Sequence, residues 1–394
     1  MDSGIFDEII DRSGTDSFKF DKVAEFCGAA DIMPMWVADM DFATPPFVMR
    51  ALERCMSHRI LGYTYGRDAY YGSIVSWCRE HYGWNIGKEQ INYIPGVVSG
   101  IFLAVQCLTE KSDRILIQDP VYHPFRIVPE TSQRVVVRNS LVRTADGFDM
   151  DLDALRHDLE GCRLMILCNP HNPAGICWKR DTLIKVAEIC HEKGVTVISD
   201  EIHCDMILDG RRHIPFASVS EKARDIAITL QSPSKTFNMP GVVCAHMIIQ
   251  NDALRERMFS FMHGSDMDLG NAFAFECACA CYTCEGDEWR KAMLEYVSGN
   301  IRTLKEGLLP VCDRIRVIEP EASFLVFLDC RSLGFRSGCE YQDFFAGKCR
   351  IGVNPGDLFG PGGLGYMRIN IACPRSQVRE AARRITAAVL SLDD

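Results

Sequence analysis

The chain has 394 residues, a formal net charge of −10 and an apolar content of 47%. This length exceeds the size at which a single hydrophobic core stops growing, so two domains are expected. The acidic balance and the lack of a Lys/Arg run argue against nucleic acid and anionic membranes as partners, because both require a basic surface. A small molecule is therefore the expected ligand.

The start of the sequence and its cysteines predict a cytoplasmic protein. Residues 1–5 lack the basic and apolar regions of a signal peptide, and no apolar run approaches the roughly 18 residues of a membrane span. Nineteen cysteines are spread through apolar patterns, as expected of reduced thiols. Residues 277–284 contain a Cys-x-x-Cys string. Its alanine-rich surroundings favour apolar packing, and zinc or redox chemistry is the alternative.

Residues 1–46 are predicted to form an N-terminal arm followed by an irregular segment. The arm, up to about residue 30, is expected to pack on another part of the molecule. Residues 33–46 are rich in proline and in large apolar groups, so we expect no regular element there and predict that other parts of the chain cover it. Asp39 and Asp41 are interpreted as cap and turn residues without a catalytic role.

The remaining chain is predicted to form a large and a small domain. Helices are expected over 47–58, 68–82, 101–108, 182–193, 252–263 and 287–309 and from Gln377, and strands over 91–94, 114–118, 134–138, 163–168, 195–199, 225–230, 242–249, 316–318, 324–328 and 366–370. Repeated β-then-α units predict an α/β domain over 47–286, with a mostly parallel sheet and helices on both faces. Residues 287–394 are expected to form a smaller α+β domain.

A short polar loop after one predicted strand carries a lysine between hydroxyls, in the string Ser-Pro-Ser-Lys at residues 232–235. A partly buried lysine has a lowered pKa and can attack a carbonyl to form a Schiff base. A solvated loop lysine is the simpler interpretation of this string alone. Residues 95–100 form a glycine turn before a helix, which suits either a phosphate or an ordinary βα turn.

Other polar residues share the position of Lys235. Asn172 and Asp200 each follow a predicted strand of the same sheet, where open α/β sheets bind ligands, and Arg368 lies in a strand of the smaller domain. An aspartate at a buried strand end needs a cation or N–H partner. The pyridinium nitrogen of pyridoxal phosphate (PLP) is such a partner.

At these residues the chain resembles the fold type I PLP enzymes, the aspartate-aminotransferase-like superfamily, over nearly its whole length. The strings that carry the resemblance are Asn-Pro-His-Asn-Pro-Ala-Gly at 169–175, Ser-Asp-Glu-Ile-His at 199–203, Ser-Pro-Ser-Lys at 232–235, and Arg368. Within the superfamily the chain is most similar to the cystathionine β-lyase / cysteine C–S lyase branch, through residues 33–42, 62–65, 199–206 and 368–375. The resemblance implies a PLP fold type I architecture.

The resemblance also implies roles for single residues. Lys235 would bind the cofactor aldehyde and then move the Cα proton as general base and acid. Asp200 would pair with the ring N–H, Asn172 would donate to the ring 3-oxygen, and Tyr122 would stack on the ring. Arg368 would hold the substrate α-carboxylate with two parallel hydrogen bonds.

For the cofactor phosphate, the resemblance implies backbone N–H groups of Val97 and Val98 and the hydroxyls of Ser232 and Ser234. Tyr63 would reach the phosphate of the neighbouring subunit, so a homodimer with shared active sites is expected. Residues 33–46 would line the thiol side of the pocket together with that subunit.

Two departures from the aminotransferase pattern weaken a transaminase assignment without excluding it, and the lyase branch tolerates both. His203 replaces the tyrosine usual three residues after the aspartate, and residues 241–244 lack the arginine that aminotransferases place near the phosphate. His203 could contact the 3-oxygen or only pack. We predict a PLP-dependent C–S β-lyase that cleaves L-cystathionine, another S-substituted L-cysteine or cysteine. An aminotransferase and a regulatory protein with a moonlighting PLP site are the alternatives.

Overall fold

The computed structural model describes residues 3–145, 147–208 and 210–392. The α-helices are α1 (Phe18–Asp21), α2 (Val23–Cys27), α3 (Pro46–Ser57), α4 (Asp68–Trp77), α5 (Val97–Leu108), α6 (Pro124–Thr131), α7 (Leu152–Asp158), α8 (Arg180–Glu192), α9 (Glu221–Ile226), α10 (Asp252–Gly264), α11 (Ala272–Cys281), α12 (Cys284–Gly307), α13 (Gly338–Asp343) and α14 (Arg375–Leu390).

The strands are β1 (Met33–Pro34), β2 (Ile91–Ile94), β3 (Arg114–Asp119), β4 (Val135–Ser140), β5 (Val142–Thr144), β6 (Gly147–Asp149), β7 (Cys162–Cys168), β8 (Thr196–Asp200), β9 (Ala227–Gln231), β10 (Ala245–Ile248), β11 (Arg316–Ile318), β12 (Leu325–Asp329), β13 (Ile351–Gly352), β14 (Asn354–Pro355) and β15 (Tyr366–Asn370). Among the described helices none is long and apolar enough to cross a membrane.

Seven strands form the central sheet in the order β2-β10-β9-β8-β7-β3-β4. Strands β9, β8, β7, β3 and β4 are parallel neighbours, and β10 is antiparallel to both β2 and β9. The inner strands are almost fully buried, as their continuous runs of β-branched and apolar residues require when helices cover both faces. The predicted α/β architecture with a mostly parallel sheet is confirmed.

The C-terminal part of the chain contains a four-stranded antiparallel sheet in the order β11-β12-β15-β14. Every residue of β15 is buried, including Arg368. The 24-residue helix α12 packs against α14. The domain limits 47–286 and 287–394 stay a prediction, although α12 begins at Cys284, three residues before the predicted second domain.

Several element limits differ from the prediction for local backbone reasons. Helix α5 begins at Val97 rather than residue 101. Gly96, the residue before it, has an extended backbone (φ −173°, ψ 164°) and is the last residue of the connection from β2. Helix α4 ends at Trp77, and residues 78–82 continue as a π-helix. Strand β10 begins only at Ala245, since Val243 has a left-handed backbone (φ 58°) that interrupts an extended run.

The segment 33–46 joins distant parts of the chain. Strand β1 pairs in parallel with β13, and Asn238 bonds to the backbone of Met40 and Phe42. Asp39 and Asp41 form ion pairs with Arg12 and Lys19 of the N-terminal arm. The interpretation of these aspartates as cap and turn residues is therefore wrong, because both carboxylates form ion pairs with cations of the arm.

Candidate active site

A cavity of about 310 Å³ opens at the carboxyl edge of the central sheet. Its lining includes nine of the predicted site residues: Val97, Val98, Tyr122, Asn172, Asp200, His203, Ser232, Ser234 and Lys235. Tyr122, Asn172, Asp200 and Lys235 belong to or follow strands β3, β7, β8 and β9, which are consecutive parallel neighbours. The carboxyl ends of parallel strands meet at one edge, so this topology brings the side chains together.

Lys235 presents an amine that is suited to attack a carbonyl. Its side chain is partly exposed, and its Nζ donates a 2.6 Å hydrogen bond to the carbonyl oxygen of Ala38. Burial lowers the pKa of Lys235 to about 8, a shift that the charges of Asp39 and Asp200 oppose. At pH 7 about a tenth of a lysine with this pKa is neutral, which is the nucleophilic and basic form.

Asp200 is buried at the end of β8, and its Oδ1 accepts a 3.0 Å hydrogen bond from the Ile202 amide. Burial raises the pKa of Asp200 to about 7, and the neighbouring Glu201 adds to this while Lys235 opposes it. Within the described parts of the chain, no basic side chain forms an ion pair with Asp200. A protonated ring nitrogen would supply the missing cation, so this carboxylate fits a pyridinium.

The start of α5 forms an anion site in the same cavity. The first N–H groups of a helix have no intrahelical acceptor, and this 12-residue helix has no side-chain cap. Opposite them, Ser232 Oγ lies 2.7 Å from Ser234 Oγ and donates to the Cys244 carbonyl at 2.5 Å. The amides of Val97 and Val98 and the Ser234 hydroxyl therefore offer donors that fit a phosphate group. The Ser232 hydroxyl donates its proton to the Cys244 carbonyl, and its contact with the phosphate stays a prediction.

Arg368 lies beside the cavity and does not line it. Its Nη1 donates to Asn172 Oδ1 at 3.0 Å, and its Nη2 donates to Asn354 Oδ1 at 2.8 Å and to the Trp36 carbonyl at 3.1 Å. The guanidinium lies 4.7 Å from the ring centre of Phe359. No carboxylate of the described residues pairs with Arg368, and its Nε is buried without a hydrogen-bond partner. A buried cation in this state suits an anionic ligand.

Burial lowers the pKa of Arg368 to about 10 and that of His203 to about 3. The His203 imidazole is thus neutral at pH 7, and its Nδ1 is buried without a partner among the described residues. His203 lines the cavity, a position that allows both contact with the cofactor 3-oxygen and simple packing. The contact with the cofactor stays a prediction.

The structure does not bring Tyr63 to this cavity. Its side chain is 100% exposed and lines a separate surface recess with Ile60, Leu61 and Tyr65. The expected contact of Tyr63 with the phosphate of a neighbouring subunit stays a prediction.

Sequence reasoning missed several groups that complete the site. The carbonyls of Trp36 and Ala38 accept from Arg368 and Lys235, and main-chain atoms carry no residue-type signal. The Cys168 thiol lines the cavity and accepts from the main-chain N–H of Asn172 at 3.3 Å, whereas the sequence predicts only a reduced thiol in an apolar strand. Asn354, which accepts from Arg368, lies in the glycine-rich stretch 352–365. Its polar side chain in that stretch is the sequence feature that could indicate a role in the site.

Comparisons with known proteins agree with this geometry. Residues 30–385 match the family model described as aminotransferase class I and II. The chain is 37% identical to the cystathionine beta-lyase PatB of Bacillus subtilis (strain 168), over 98% of this chain and 99% of the relative.

Two solved structures are similar over the whole fold. Cystalysin from Treponema denticola, which contains a pyridoxal 5′-phosphate cofactor, has a TM-score of 0.94 and 29% identity, over 98% of this chain and 99% of that one. The PLP-bound C–S lyase from Staphylococcus hominis has a TM-score of 0.90 and 31% identity, over 98% of each chain. The chain therefore belongs to the aminotransferase class I and II family, within its branch of PLP-dependent C–S β-lyases.

Proposed function

We propose that this chain cleaves the Cβ–S bond of L-cystathionine or another S-substituted L-cysteine, or of cysteine itself, to give pyruvate, ammonia and a thiol. The observation that carries the proposal is the position of Lys235. Its amine shares one cavity with the buried Asp200 and the anion site of α5, next to Arg368. This arrangement supports binding an amino acid by its carboxylate while a base acts at its Cα.

Several residues would hold the cofactor. Asp200 would pair with the ring nitrogen, and Asn172 would donate to the 3-oxygen. The phosphate would be bound by the N–H groups at the start of α5 and by hydroxyls of residues 232–234. Bound PLP supplies a carbonyl for the substrate amine and a ring that withdraws the electron pair left at Cα.

Lys235 is proposed to take the Cα proton. Its lowered pKa, about 8, leaves part of the amine unprotonated near pH 7, as a general base requires. As the Cα–H bond breaks, a Cα–Cβ double bond forms and the Cβ–S electron pair leaves with sulfur. The thiolate then takes a proton, and water replaces the nitrogen to give pyruvate and ammonia.

Arg368 is proposed to bind the substrate α-carboxylate. Its planar guanidinium can donate two parallel hydrogen bonds, which lysine cannot do. Asn354 and Asn172 fix its two terminal nitrogens from opposite parts of the chain. The buried position keeps water away from this contact and strengthens it.

We further propose a cytoplasmic homodimer with shared active sites. Ile60, Leu61, Tyr63 and Tyr65 are between 71% and 100% exposed in one short loop. Such a run of exposed apolar side chains is typical of a protein interface. Tyr63 would reach the partner's phosphate site from this loop. The cytoplasmic assignment rests on the composition, in which nineteen cysteines occupy mainly apolar positions.

One experiment tests the reaction. The purified, PLP-loaded protein is incubated with L-cystathionine in the absence of any keto acid, and pyruvate and free thiol are measured. The lyase is supported if both accumulate in equal amounts. Turnover that requires an added keto acid would instead identify an aminotransferase. A cofactor spectrum that no amino acid changes would favour the regulatory binding protein and overturn the proposal.

A further inference from the structure

The segment from Trp36 to Asp41 connects the two groups that are proposed to act on the substrate. The Trp36 carbonyl accepts from Arg368 at 3.1 Å, and two residues later the Ala38 carbonyl accepts from Lys235 at 2.6 Å. The backbone of this segment is therefore a common support of both side chains. A displacement of the segment would move the acceptors of both Arg368 and Lys235.

The N-terminal arm holds this segment at both ends through Lys19. The Lys19 side chain is 1% exposed, and its Nζ donates to Asp41 Oδ2 at 2.7 Å. The Lys19 carbonyl accepts from the Trp36 indole at 2.9 Å. One arm residue thus contacts the first and last residues of the segment.

Arg12 adds a second arm cation. It donates to Asp39 Oδ2 at 2.6 Å, to Asp41 Oδ1 at 2.9 Å and to the Met40 carbonyl at 3.3 Å. Asp39 also lies close enough to Lys235 for its charge to raise the pKa of that amine against the effect of burial. Arg12 therefore balances the carboxylate that is electrostatically coupled to Lys235.

The other side of the segment is held by neutral amides. Asn370 Nδ2 donates to the carbonyls of Val37 and Asp39 at 2.6 Å each. These bonds come from the C-terminal sheet, whereas the ionic bonds come from the arm. The loss of one arm cation would leave two carboxylates, Asp39 and Asp41, to share the remaining one, which favours displacement of the segment toward water.

We propose that Lys19 and Arg12 are positioning residues for the reaction, which act through the segment 36–41 on Arg368 and Lys235. This inference rests on the proposed function, because it assigns the arm a role in holding the carboxylate-binding arginine and the base. It predicts that an intact arm is needed for substrate affinity in particular, since the Trp36 carbonyl orients Arg368.

The test is a double-mutant cycle on the buried pair, with Lys19→Met, Asp41→Asn and the double variant in the PLP-loaded protein. Each single variant is expected to lower kcat/KM by about tenfold or more, mainly through a higher KM, because each unbalances the buried charges. Lys19→Met leaves Asp39 and Asp41 to share Arg12, and Asp41→Asn leaves the buried Lys19 with Asp39, 3.9 Å away. The double variant removes both charges and is expected to recover most of the loss. Lys22→Met is the matched control, since Lys22 forms an exposed ion pair with Glu25 of the same arm.

Hydrogen–deuterium exchange of residues 33–41 provides a readout besides activity. Exchange is expected to rise in each single variant and to return toward wild type in the double variant. If the single variants fail to fold, Trp36→Phe removes only the bond to the Lys19 carbonyl and keeps an aromatic ring beside Phe26, with which Trp36 stacks at 4.1 Å. It is expected to raise KM and the exchange of residues 33–41.

Unchanged KM and exchange in folded variants, or a double variant no better than the single ones, would overturn the inference. Failure of the proposed function looks different. In that case the wild-type protein itself would release no pyruvate from any S-substituted cysteine, while the exchange cycle would still report whether the arm holds the segment.

Discussion

Arg368 Nη1 donates a 3.0 Å hydrogen bond to Asn172 Oδ1, across 196 positions of sequence. The bond joins β15 of the C-terminal sheet to the loop after β7 of the central sheet. Because Oδ1 of Asn172 accepts this bond, its Nδ2 amide remains the donor that can face the cofactor. The same contact thus links the proposed carboxylate site to the proposed ring contact.

Arg368→Lys is expected to raise KM for L-cystathionine by about a hundredfold, because lysine cannot form the paired hydrogen bonds to a carboxylate and leaves Asn172 and Asn354 without their donor. Steady-state kinetics with pyruvate detection measure this change. Arg331→Lys is the matched control, since Arg331 pairs with Asp329 beside the same sheet. A thioether amine without the α-carboxylate provides a second control. If Arg368→Lys impairs its turnover equally, Arg368 does not act through the carboxylate.

Lys235→Ala is expected to lower kcat by about a thousandfold or more, because the variant lacks the proposed base at Cα. Borohydride treatment followed by mass spectrometry should attach the cofactor to Lys235 in the wild-type chain and to no residue in the variant. Lys88→Ala, which removes a surface lysine paired with Asp68, should match the wild type in both measurements. Appreciable turnover by Lys235→Ala would exclude this lysine from the mechanism.

The residues that sequence could predict are those at strand ends. Lys235 and Asp200 follow apolar runs of a parallel sheet, and the carboxyl ends of such strands meet at one edge, so their proximity follows from local patterns. The contact of Lys235 with the Ala38 carbonyl could not be predicted, because the two residues are 197 positions apart. Ala38 contributes a main-chain oxygen, which every residue type has. The prediction that Asp41 is a cap or turn residue is wrong for a related reason, since its partner Lys19 lies 22 positions away and local cap rules consider only near neighbours.

Ser234→Ala is expected to weaken PLP binding by about tenfold, since one hydrogen bond to a charged group contributes about 1.5 kcal/mol. Titration of the cofactor-free protein, followed by absorbance, gives the dissociation constant. Pyridoxal, which lacks the phosphate, is the matched ligand, and its affinity should change little. An equal loss for PLP and pyridoxal would mean that Ser234 does not contact the phosphate. Ser218→Ala is a suitable control variant, because Ser218 Oγ donates to the nearby Pro215 carbonyl.

The cofactor-free protein is expected to lose stability through Asp200 as the pH rises from about 4 to about 7. Burial raises the pKa of Asp200 from 3.8 to about 7, so in this window the folded state binds more protons than the unfolded state. Stability therefore falls with increasing pH. Asp200→Asn removes this dependence. The unfolding free energy of the variant minus that of the wild type should grow by about 3 kcal/mol between pH 5 and pH 8.

Denaturant unfolding at several pH values measures this difference. Other titrating groups, such as the buried His203, contribute equally to both proteins and cancel in the difference. PLP should remove the trend from the wild type, because the ring N–H gives the carboxylate a partner. A difference that stays constant with pH would show that Asp200 is already ionised in the cofactor-free protein.

Complementation between two inactive chains tests the shared active site. If Tyr63 serves the partner's site, a dimer of one Tyr63→Ala chain and one Lys235→Ala chain has one intact site, built from the Lys235 of the first chain and the Tyr63 of the second. Random mixing at equal amounts makes half of the dimers mixed, so about a quarter of the wild-type activity should appear after refolding the two together. Each variant refolded alone should remain near its own low activity. If the mixture shows only the mean of the two separate activities while sedimentation confirms dimers, Tyr63 acts within its own subunit or not at all.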